Sequence, residues 1–544
     1  MNKRIFLLFS ILLLAIGLRF FYYTASPPAL FTDEADQGYN AYSLLKTGRD
    51  EHGVFLPVSL RSFGDWKPPM QTYLSIPFIW LFGLEEFNVR LPSMILGLFS
   101  IFVAYSLVKR LGLNEKIGLL LSFFLTISPW HIHQSRSAML VLVALFFFLT
   151  GFAFFLKGVN IRKNLIISTF HFSLAIYAYY GMRLIVPLFI FCLLFFYRKN
   201  FPQPKKAILV STASFFIFLS PLLLAFFQNP DVVFGRAKTV SVFYDQGINL
   251  RLWEFASEEG SGHTFMARLY HNKLYAYAID ITRRFFSHLD GVFLFLGGDA
   301  APPFLIPNMG VFYLLDGIFL ITGMYYLIKS KKRIAVLILL FLATSLVPAS
   351  LTFMTPSSNR TFSAVFPLLF IATFGLYFLT SSPAIKVKKL GTIMFVIVTL
   401  GYTAQFSYYL YEYYRVLPKE YSDQWAYGFK QMVRYVDKNE GKYDQVVILP
   451  HSNIAYIYFL FYSKVDPGHL ESLVVHDYIP DQFGFEHVSQ MGKYIFLRHG
   501  TLSEAKLKYT GRTLFVGTED ETKEGYPVEQ IRYPNDSIAF RLTE

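Results

Sequence analysis

The sequence predicts a multi-pass α-helical membrane protein with about eleven transmembrane helices and a small soluble C-terminal α/β domain. Of its 544 residues, 54% are hydrophobic and only 16% are charged, whereas soluble domains average about 25% charged. The apolar residues form runs of roughly 20, the length that crosses a bilayer. The cations of this chain of net charge +13 lie in short clusters between those runs. Such clusters indicate loops at a membrane surface and exclude nucleic acid as a partner.

The first element is an apolar run after the N-terminus, and similar runs follow along the chain. The predicted spans are residues 5–24, 89–108, 113–130, 137–156, 164–180, 182–197, 207–227, 310–328, 334–352, 362–380 and 391–411. The first run also fits a cleaved signal peptide, and this alternative stays open. Neither interpretation changes the sidedness of the later segments.

Basic residues concentrate in every second loop. They are Lys3, Arg4, Lys109, Arg110, Lys116, Lys157, Arg162, Lys163, Arg198, Lys199, Lys205, Lys206, Lys329, Lys331, Lys332, Arg333, Lys386, Lys388 and Lys389. Because cytoplasmic loops carry the excess of Lys and Arg, these loops and the N-terminus are predicted to be cytoplasmic, in a plasma membrane. The stretch 70–84 is apolar but short, and a crossing there would reverse every later loop. It is therefore predicted to lie along the outer membrane surface.

Three regions are then predicted outside the cytoplasm. Residues 1–414 form the membrane domain, with a first outer loop at 25–88 and a large outer loop at 228–309. Residues 415–544 are predicted to form an extracytoplasmic α/β domain. Its helix near 425–436 has one apolar face, and its β-like runs are Gln445–Leu449, Tyr494–Leu497 and Thr513–Val516.

The first outer loop begins with two acids, Asp33 and Glu34, directly after the first span. Thr32 or Asp33 is predicted to cap a helix that runs to about Lys46, and Gly48 suits its C-terminal cap. The acids then lie at the boundary between water and lipid. Ordinary capping of the helix dipole is the alternative interpretation.

The spacing of residues along this helix also predicts one polar face and one apolar face. Asp33, Asp36 or Gln37, and Asn40 share one face. Tyr39, Tyr42 and Leu45 are predicted to rest on the membrane.

A second signal in this loop is Lys67, which precedes Pro68 and Pro69. The prolines stiffen the backbone and give the lysine a defined position. Such a lysine can bind a phosphate as a point charge, although an interfacial lysine that reaches toward water is the alternative. Arg61 lies nearby in the sequence.

The Asp-Glu pair after the first span, the Lys-Pro-Pro motif, and Val89-Arg90-Leu91-Pro92-Ser93 together resemble the GT-C glycosyltransferases of family 39 and its relatives. These include the protein O-mannosyltransferases, the lipid A aminoarabinose transferases and the rhizobial core-oligosaccharide transferases. The resemblance covers roughly residues 1–380 and is strongest over 25–100. It implies transfer of a sugar from a polyprenyl-phosphate donor to a glycan, lipid or protein hydroxyl outside the cytoplasm.

The resemblance also implies site residues. Asp33 matches the family's catalytic base, and Glu34 matches its neighbour. The resemblance implies that Lys67 and Arg360 contact the donor phosphate and share one outward cavity with Asp33. Arg61, Arg90 and Arg183 are further candidates for the phosphate, chosen for their charge and their outer position. A single base favours direct displacement with inversion, since a retaining path needs a second carboxylate about 5 Å away.

Two departures bear on a metal ion. Trp66 stands where the aminoarabinose transferases have a glutamate, and no acid occurs in Ser135–Leu140. No cofactor is predicted with certainty, and a divalent metal stays open, with His131 and His133 as candidate ligands. A polytopic transporter or lipid flippase is the alternative function, and a non-catalytic scaffold is a third.

Overall fold

The computed structural model describes residues 3–161, 163–244, 247–259, 265–299, 301–381, 388–481 and 484–544. Contacts between Cα atoms divide the chain into two compact units. The first contains Met1–Phe21, Ile95–Ser135 and Leu140–Leu410, and the second contains Tyr22–Met94, Arg136–Met139 and Tyr411–Glu544. Arg162 and Lys386, two cations of the predicted cytoplasmic loops, lie outside the described residues.

The first unit is helical. Its helices are Lys3–Phe20, Glu86–Arg110, Glu115–Ile127, Pro129–Arg136, Leu140–Gly158, Lys163–Ala178, Met182–Tyr197, Pro204–Gln228, Asp231–Val240, Gly247–Glu259, Phe265–Tyr270, Lys273–Ser287, Leu314–Ser350, Val365–Ser381 and Lys388–Tyr411. The helix Glu86–Arg110 begins in the second unit. Every predicted span coincides with one of these helices or with part of one. The helical, multi-pass character predicted from the sequence is confirmed.

Within the described residues, six helical stretches are long and apolar enough to cross a bilayer. They are Glu86–Arg110, Leu140–Gly158, Pro204–Gln228, Leu314–Ser350, Phe362–Ser381 and Gly391–Glu420. Met182–Tyr197 is apolar but shorter. The total of about eleven crossings stays a prediction.

The longest helix, Leu314–Ser350, breaks at Lys331, where φ is −141° and ψ is 47°. Its 37 residues would measure about 55 Å if straight, well beyond the roughly 30 Å hydrocarbon core. The break lies inside the basic cluster that the sequence places between two spans. It divides the helix into the two predicted segments.

Small residues allow the helices of the first unit to approach closely. A Cβ atom on Gly323 would lie 1.9 Å from the carbonyl oxygen of Ile371, and one on Gly375 would lie 2.2 Å from that of Phe319. Contacts of this kind are typical of helix pairs in membranes, where close packing replaces the hydrophobic driving force.

The second unit is built on a mixed sheet of seven strands, β3–β9, in the order β4-β5-β6-β3-β7-β9-β8. These are β3 (Gln445–Ile448), β4 (Val474–Asp477), β5 (His487–Met491), β6 (Tyr494–Phe496), β7 (Thr513–Gly517), β8 (Pro527–Arg532) and β9 (Ile538–Thr543). The three central strands, β6, β3 and β7, are parallel. They coincide with the three β-like runs predicted for the tail, so the α/β character of the tail is confirmed.

Helices Leu417–Glu420, Phe429–Lys438, Tyr456–Tyr462, Leu470–Leu473 and Leu502–Lys508 accompany this sheet. Helix Phe429–Lys438 buries Phe429, Met432, Val433 and Val436, the apolar face predicted from its spacing.

The first outer loop belongs to the same unit as the tail. It contains helix Thr32–Thr47, an antiparallel hairpin of β1 (Leu60–Ser62) and β2 (Asp65–Lys67), and helix Met70–Phe82. The sequence assigns this loop to the membrane domain. In the structure the loop packs on the tail, because Thr32–Thr47 presents its apolar side to helix Tyr456–Tyr462. The domain boundary at 414 stays a prediction.

Tyr39 shows this difference most clearly. Its side chain is fully buried, and its hydroxyl donates a hydrogen bond to the carbonyl oxygen of Val465 at 2.9 Å. Gly38 permits the contact between the two helices, because a Cβ atom there would lie 2.6 Å from the ring of Phe461. The prediction that Tyr39 rests on the membrane is therefore wrong. Tyr42 and Leu45 also pack against the core that the loop shares with the tail.

Helix Met70–Phe82 buries polar side chains and exposes apolar ones, the reverse of a helix in a soluble protein. Its buried residues include Gln71, Thr72 and Ser75, whereas Trp80 and Phe82 are exposed. Gln71 Nε2 donates a hydrogen bond to the carbonyl oxygen of Val89 at 2.9 Å. An outward apolar face suits the predicted position at a membrane surface, which stays a prediction.

Candidate active site

Helix Thr32–Thr47 carries the acidic pair and begins differently from the prediction. The N-cap residue is Phe31, not Thr32 or Asp33. The carboxylate of Glu34 caps the helix by accepting a hydrogen bond from the Phe31 amide at 2.9 Å. At the other end Gly48 has φ +71°, as its predicted role as C-terminal cap requires. The carboxylate that caps the start of this helix is therefore that of Glu34.

The hairpin positions Lys67. Leu60 pairs with Lys67 in the two-stranded ladder, and the Ser59 hydroxyl donates to the Lys67 carbonyl oxygen at 3.1 Å. The Lys67 Nζ atom donates to Asp33 Oδ1 at 2.7 Å and to Asp36 Oδ2 at 3.3 Å. The two motifs of the first outer loop therefore meet in space, well within the roughly 10 Å that one shared site allows.

The two carboxylates on Lys67 differ in exposure. The Asp33 side chain is 46% exposed, whereas that of Asp36 is fully buried. Burial alone would lower the pKa of Lys67, but the carboxylates of Asp33 and Asp36 outweigh it and raise that pKa. Burial raises the pKa of Asp36, and the Lys67 ammonium opposes the rise. The result is a buried ammonium group beside one accessible carboxylate, that of Asp33.

Glu34 and Arg90 form a separate, fully buried ion pair. Arg90 Nε donates to Glu34 Oε1 at 2.9 Å, and Arg90 Nη2 donates to Glu34 Oε2 at 2.7 Å. Glu34 Oε1 also accepts from the Ala138 amide at 2.7 Å. With the Phe31 amide, the carboxylate has four donors and no exposed surface. This geometry joins Glu34 and Arg90 in a buried structural ion pair, and their assignments to catalysis and phosphate binding stay predictions.

Arg61 also has a partner that the sequence does not suggest. Its Nη2 atom donates to both carboxylate oxygens of Glu486, at 2.7 and 2.8 Å. Its guanidinium lies 4.7 Å from the ring centre of Tyr478. Arg61 thus joins the first outer loop to the tail, and its predicted role at the phosphate stays a prediction.

Arg183 and Arg360 belong to the first unit. Arg183 Nη1 donates to the carbonyl oxygens of Val232 and Val233, at 3.0 and 2.9 Å. Arg360 Nη1 donates to Thr352 Oγ1 at 2.7 Å and to the Met354 carbonyl oxygen at 3.0 Å. Burial lowers the pKa of Arg360. Both phosphate assignments stay predictions.

The turn that carries Arg360 is held firmly. Asp299 Oδ2 accepts hydrogen bonds from the Ser358 amide at 2.5 Å and from the Ser358 hydroxyl at 2.8 Å. Trp130 Nε1 donates to the Ser358 carbonyl oxygen at 3.0 Å. The Gly-Gly-Asp segment of the large outer loop therefore fixes the backbone beside Arg360.

Further acids lie behind Lys67 that the sequence does not single out. Asp50 and Glu51 are buried, and burial is the main cause that raises the pKa of Asp50 to about 6 and that of Glu51 well above its usual range. Among the described residues, neither carboxylate oxygen of Glu51 has a hydrogen-bond partner. Asp50 and Glu51 belong to no motif that the sequence analysis recognised, and burial of a side chain cannot be read from the local sequence. The sequence did point to Asp36, because a residue three positions after Asp33 lies on the same face of the helix.

The two candidate metal ligands, His131 and His133, each form hydrogen bonds with different protein groups. His131 bonds Arg19 at 2.8 Å and Ser100 at 2.9 Å. His133 Nε2 bonds the Pro303 carbonyl oxygen at 3.0 Å. Throughout the part of the chain that the structure describes, no group of three or more His, Cys, Asp or Glu side chains is arranged to hold a metal ion.

Comparison with known proteins gives a family-model match over part of the chain and a fold over nearly all of it. Residues 66–224 match the model of the dolichyl-phosphate-mannose-protein mannosyltransferase family. No curated protein sequence matches the chain.

Two solved structures are similar over nearly the whole chain. One is ArnT from Cupriavidus metallidurans bound to undecaprenyl phosphate, with TM-score 0.54, 12% identity, and coverage of 99% of this chain and 97% of that chain. The other is the archaeal oligosaccharyltransferase AglB from Archaeoglobus fulgidus with an inhibitory peptide and a dolichol-phosphate. Its TM-score is 0.53, with 11% identity and coverage of 96% of this chain and 70% of that chain. At such low identity these similarities establish the fold.

Proposed function

We propose that this chain is a membrane glycosyltransferase with the GT-C fold, and that it moves a sugar from a polyprenyl-phosphate donor to an acceptor hydroxyl, with Asp33 as the base. The observation that carries the proposal is the contact between the half-exposed Asp33 carboxylate and the buried Lys67 ammonium. Lipid phosphates bound in ArnT and AglB support the class of donor. The positive-inside pattern supports a site outside the cytoplasm.

The chemistry needs few protein groups. The acceptor oxygen attacks the anomeric carbon while the bond from that carbon to the phosphate oxygen breaks. The lipid phosphate leaves with the electron pair, so no general acid is required. Asp33 takes the acceptor proton, a contribution typically worth about 10²–10⁴-fold. Lys67 stabilises the charge that develops on the phosphate.

The surroundings of Asp33 favour inversion. A retaining reaction needs a second carboxylate that reaches the sugar. Two acids of the same helix are withdrawn from this role: Asp36 is fully buried on Lys67, and Glu34 is fully buried on Arg90. Neither presents an oxygen to a substrate.

The test is the change Asp33→Asn in cells that otherwise lack the gene. We expect the glycan that depends on this gene to disappear from the mass spectrum, because an amide cannot accept the acceptor proton. The matched control is Asp444→Asn, which makes the same change at an exposed ion pair with Arg512 in the tail and should keep the glycan. Normal glycan levels with a stably inserted Asp33→Asn protein would refute the proposal.

A further inference from the structure

Lys67 has two carboxylate partners of opposite character. Asp33 lies at its exposed side and Asp36 at its buried side. An ammonium has three N–H donors, so it can keep one partner while it exchanges another. The partner that exchanges is the one that solvent and substrates can reach.

Asp36 is held from behind by a chain of hydrogen bonds. Asn40 Nδ2 donates to Asp36 Oδ1 at 3.1 Å, and Asn40 Oδ1 accepts from the Glu51 amide at 3.0 Å. Asp36 and Asn40 are both completely buried. The carboxylate of Asp36 is therefore fixed, and with the Lys67 backbone held by Ser59 it fixes the ammonium as well.

Asp33 has the opposite role in this arrangement. A carboxylate that accepts a charge-assisted hydrogen bond at 2.7 Å is a weaker base than a free one, because that bond stabilises its ionised form. The same ammonium is the group proposed to hold the donor phosphate. A phosphate anion and Asp33 then compete for one cation.

We propose that Lys67 is a donor-controlled switch, which holds Asp33 inactive in the empty enzyme and releases it when the donor phosphate takes its place on the ammonium. Asp36 stays bound throughout as the fixed counter-ion, and Asn40 is the positioning residue that holds Asp36. The base becomes free only when the sugar is present. This inference rests on the proposed function and adds an order of events to it.

The experiment measures binding of undecaprenyl phosphate to the purified full-length protein in detergent. Asp33→Asn should bind this lipid about tenfold more tightly than the wild type, because the competing charge-assisted bond is gone. The matched control is Asp65→Asn, since the charge of Asp65 acts on Lys67 less strongly than that of Asp33. It should tighten binding by no more than about twofold.

A double variant, Asp33→Asn with Lys67→Gln, should lose the gain, and thermal melting confirms that each variant is folded. Equal affinities for Asp33→Asn and Asp65→Asn would overturn the switch. If Asp33→Asn abolishes transfer without tighter binding, the proposed function stands and the switch fails. If Asp33→Asn still transfers sugar, the proposed function fails whatever the affinity.

Discussion

Lys67 is at once a candidate phosphate ligand and the neutralising partner of a buried acid. A lysine chosen only for substrate binding could be removed without loss of stability. Asp36 has no exposed surface, and removing one member of a buried pair typically costs about 3–5 kcal/mol. Donor binding and the stability of the fold are therefore both expected to depend on the Lys67 Nζ atom. A pair of variants can separate the two contributions.

We predict that Lys67→Met lowers both sugar transfer and the thermal midpoint in detergent. Adding Asp36→Asn to Lys67→Met should restore at least half of the lost stability, because the uncompensated charge is then gone. It should not restore transfer. Recovery of transfer in the double variant would show that Lys67 does not serve the donor.

At the scale of the element, helix Thr32–Thr47 arranges two adjacent acids for different tasks. Adjacent helical side chains diverge, so Asp33 points to Lys67 and Glu34 to Arg90. Glu34 joins the start of this helix to the segment at Ala138. The orientation of Asp33 depends on this buried anchor.

We predict that Glu34→Gln destabilises the protein by about 3 kcal/mol, since an amide brings a donor where four donors already converge. Thermal melting in detergent measures the loss. Asp33→Asn, the same change one residue earlier, should leave the melting midpoint nearly unchanged, because its side chain is half exposed. A Glu34→Gln protein that is as stable as the wild type but does not transfer sugar would instead indicate that Glu34 takes part in catalysis.

Prediction from sequence succeeded where local rules decide the structure. The Gly48 cap, the three central strands of the tail and the helices at the predicted spans follow from residue type and periodicity. The family resemblance implied that Asp33 and Lys67 share one site, and the structure brings the two side chains to 2.7 Å.

Prediction failed where the decisive partner is distant. Arg61 bonds a glutamate 425 residues away, and Tyr39 packs on the tail rather than on lipid. A hydrophobic face has the same pattern whether it meets a bilayer or another domain. Likewise, nothing in the order Asp33-Glu34 shows which acid will be buried.

At the scale of the whole molecule, the first outer loop and the tail form one unit. They must therefore lie on the same side of the membrane. The positive-inside pattern predicts that this side is outside the cytoplasm. The chain has a single cysteine, Cys192, which makes sidedness measurable.

We predict that, in a Cys192→Ser background, Tyr526→Cys reacts with a membrane-impermeant maleimide in sealed right-side-out vesicles. Tyr526 is 94% exposed in the tail. Lys157→Cys, in an exposed position of a predicted cytoplasmic loop, should react only after the vesicles are opened. Protection of Tyr526→Cys in sealed vesicles would reverse the orientation and place the site in the cytosol.

The packing of the loop on the tail has a consequence for biosynthesis. The Thr32 hydroxyl bonds the hydroxyl of Tyr458, which lies 426 residues later. The acidic pair therefore leaves the ribosome more than 400 residues before the residues that pack against its helix. A nascent chain that ends before Tyr456 lacks the helix against which Thr32–Thr47 packs, so we expect this part of the candidate site to form only after the tail has been synthesised.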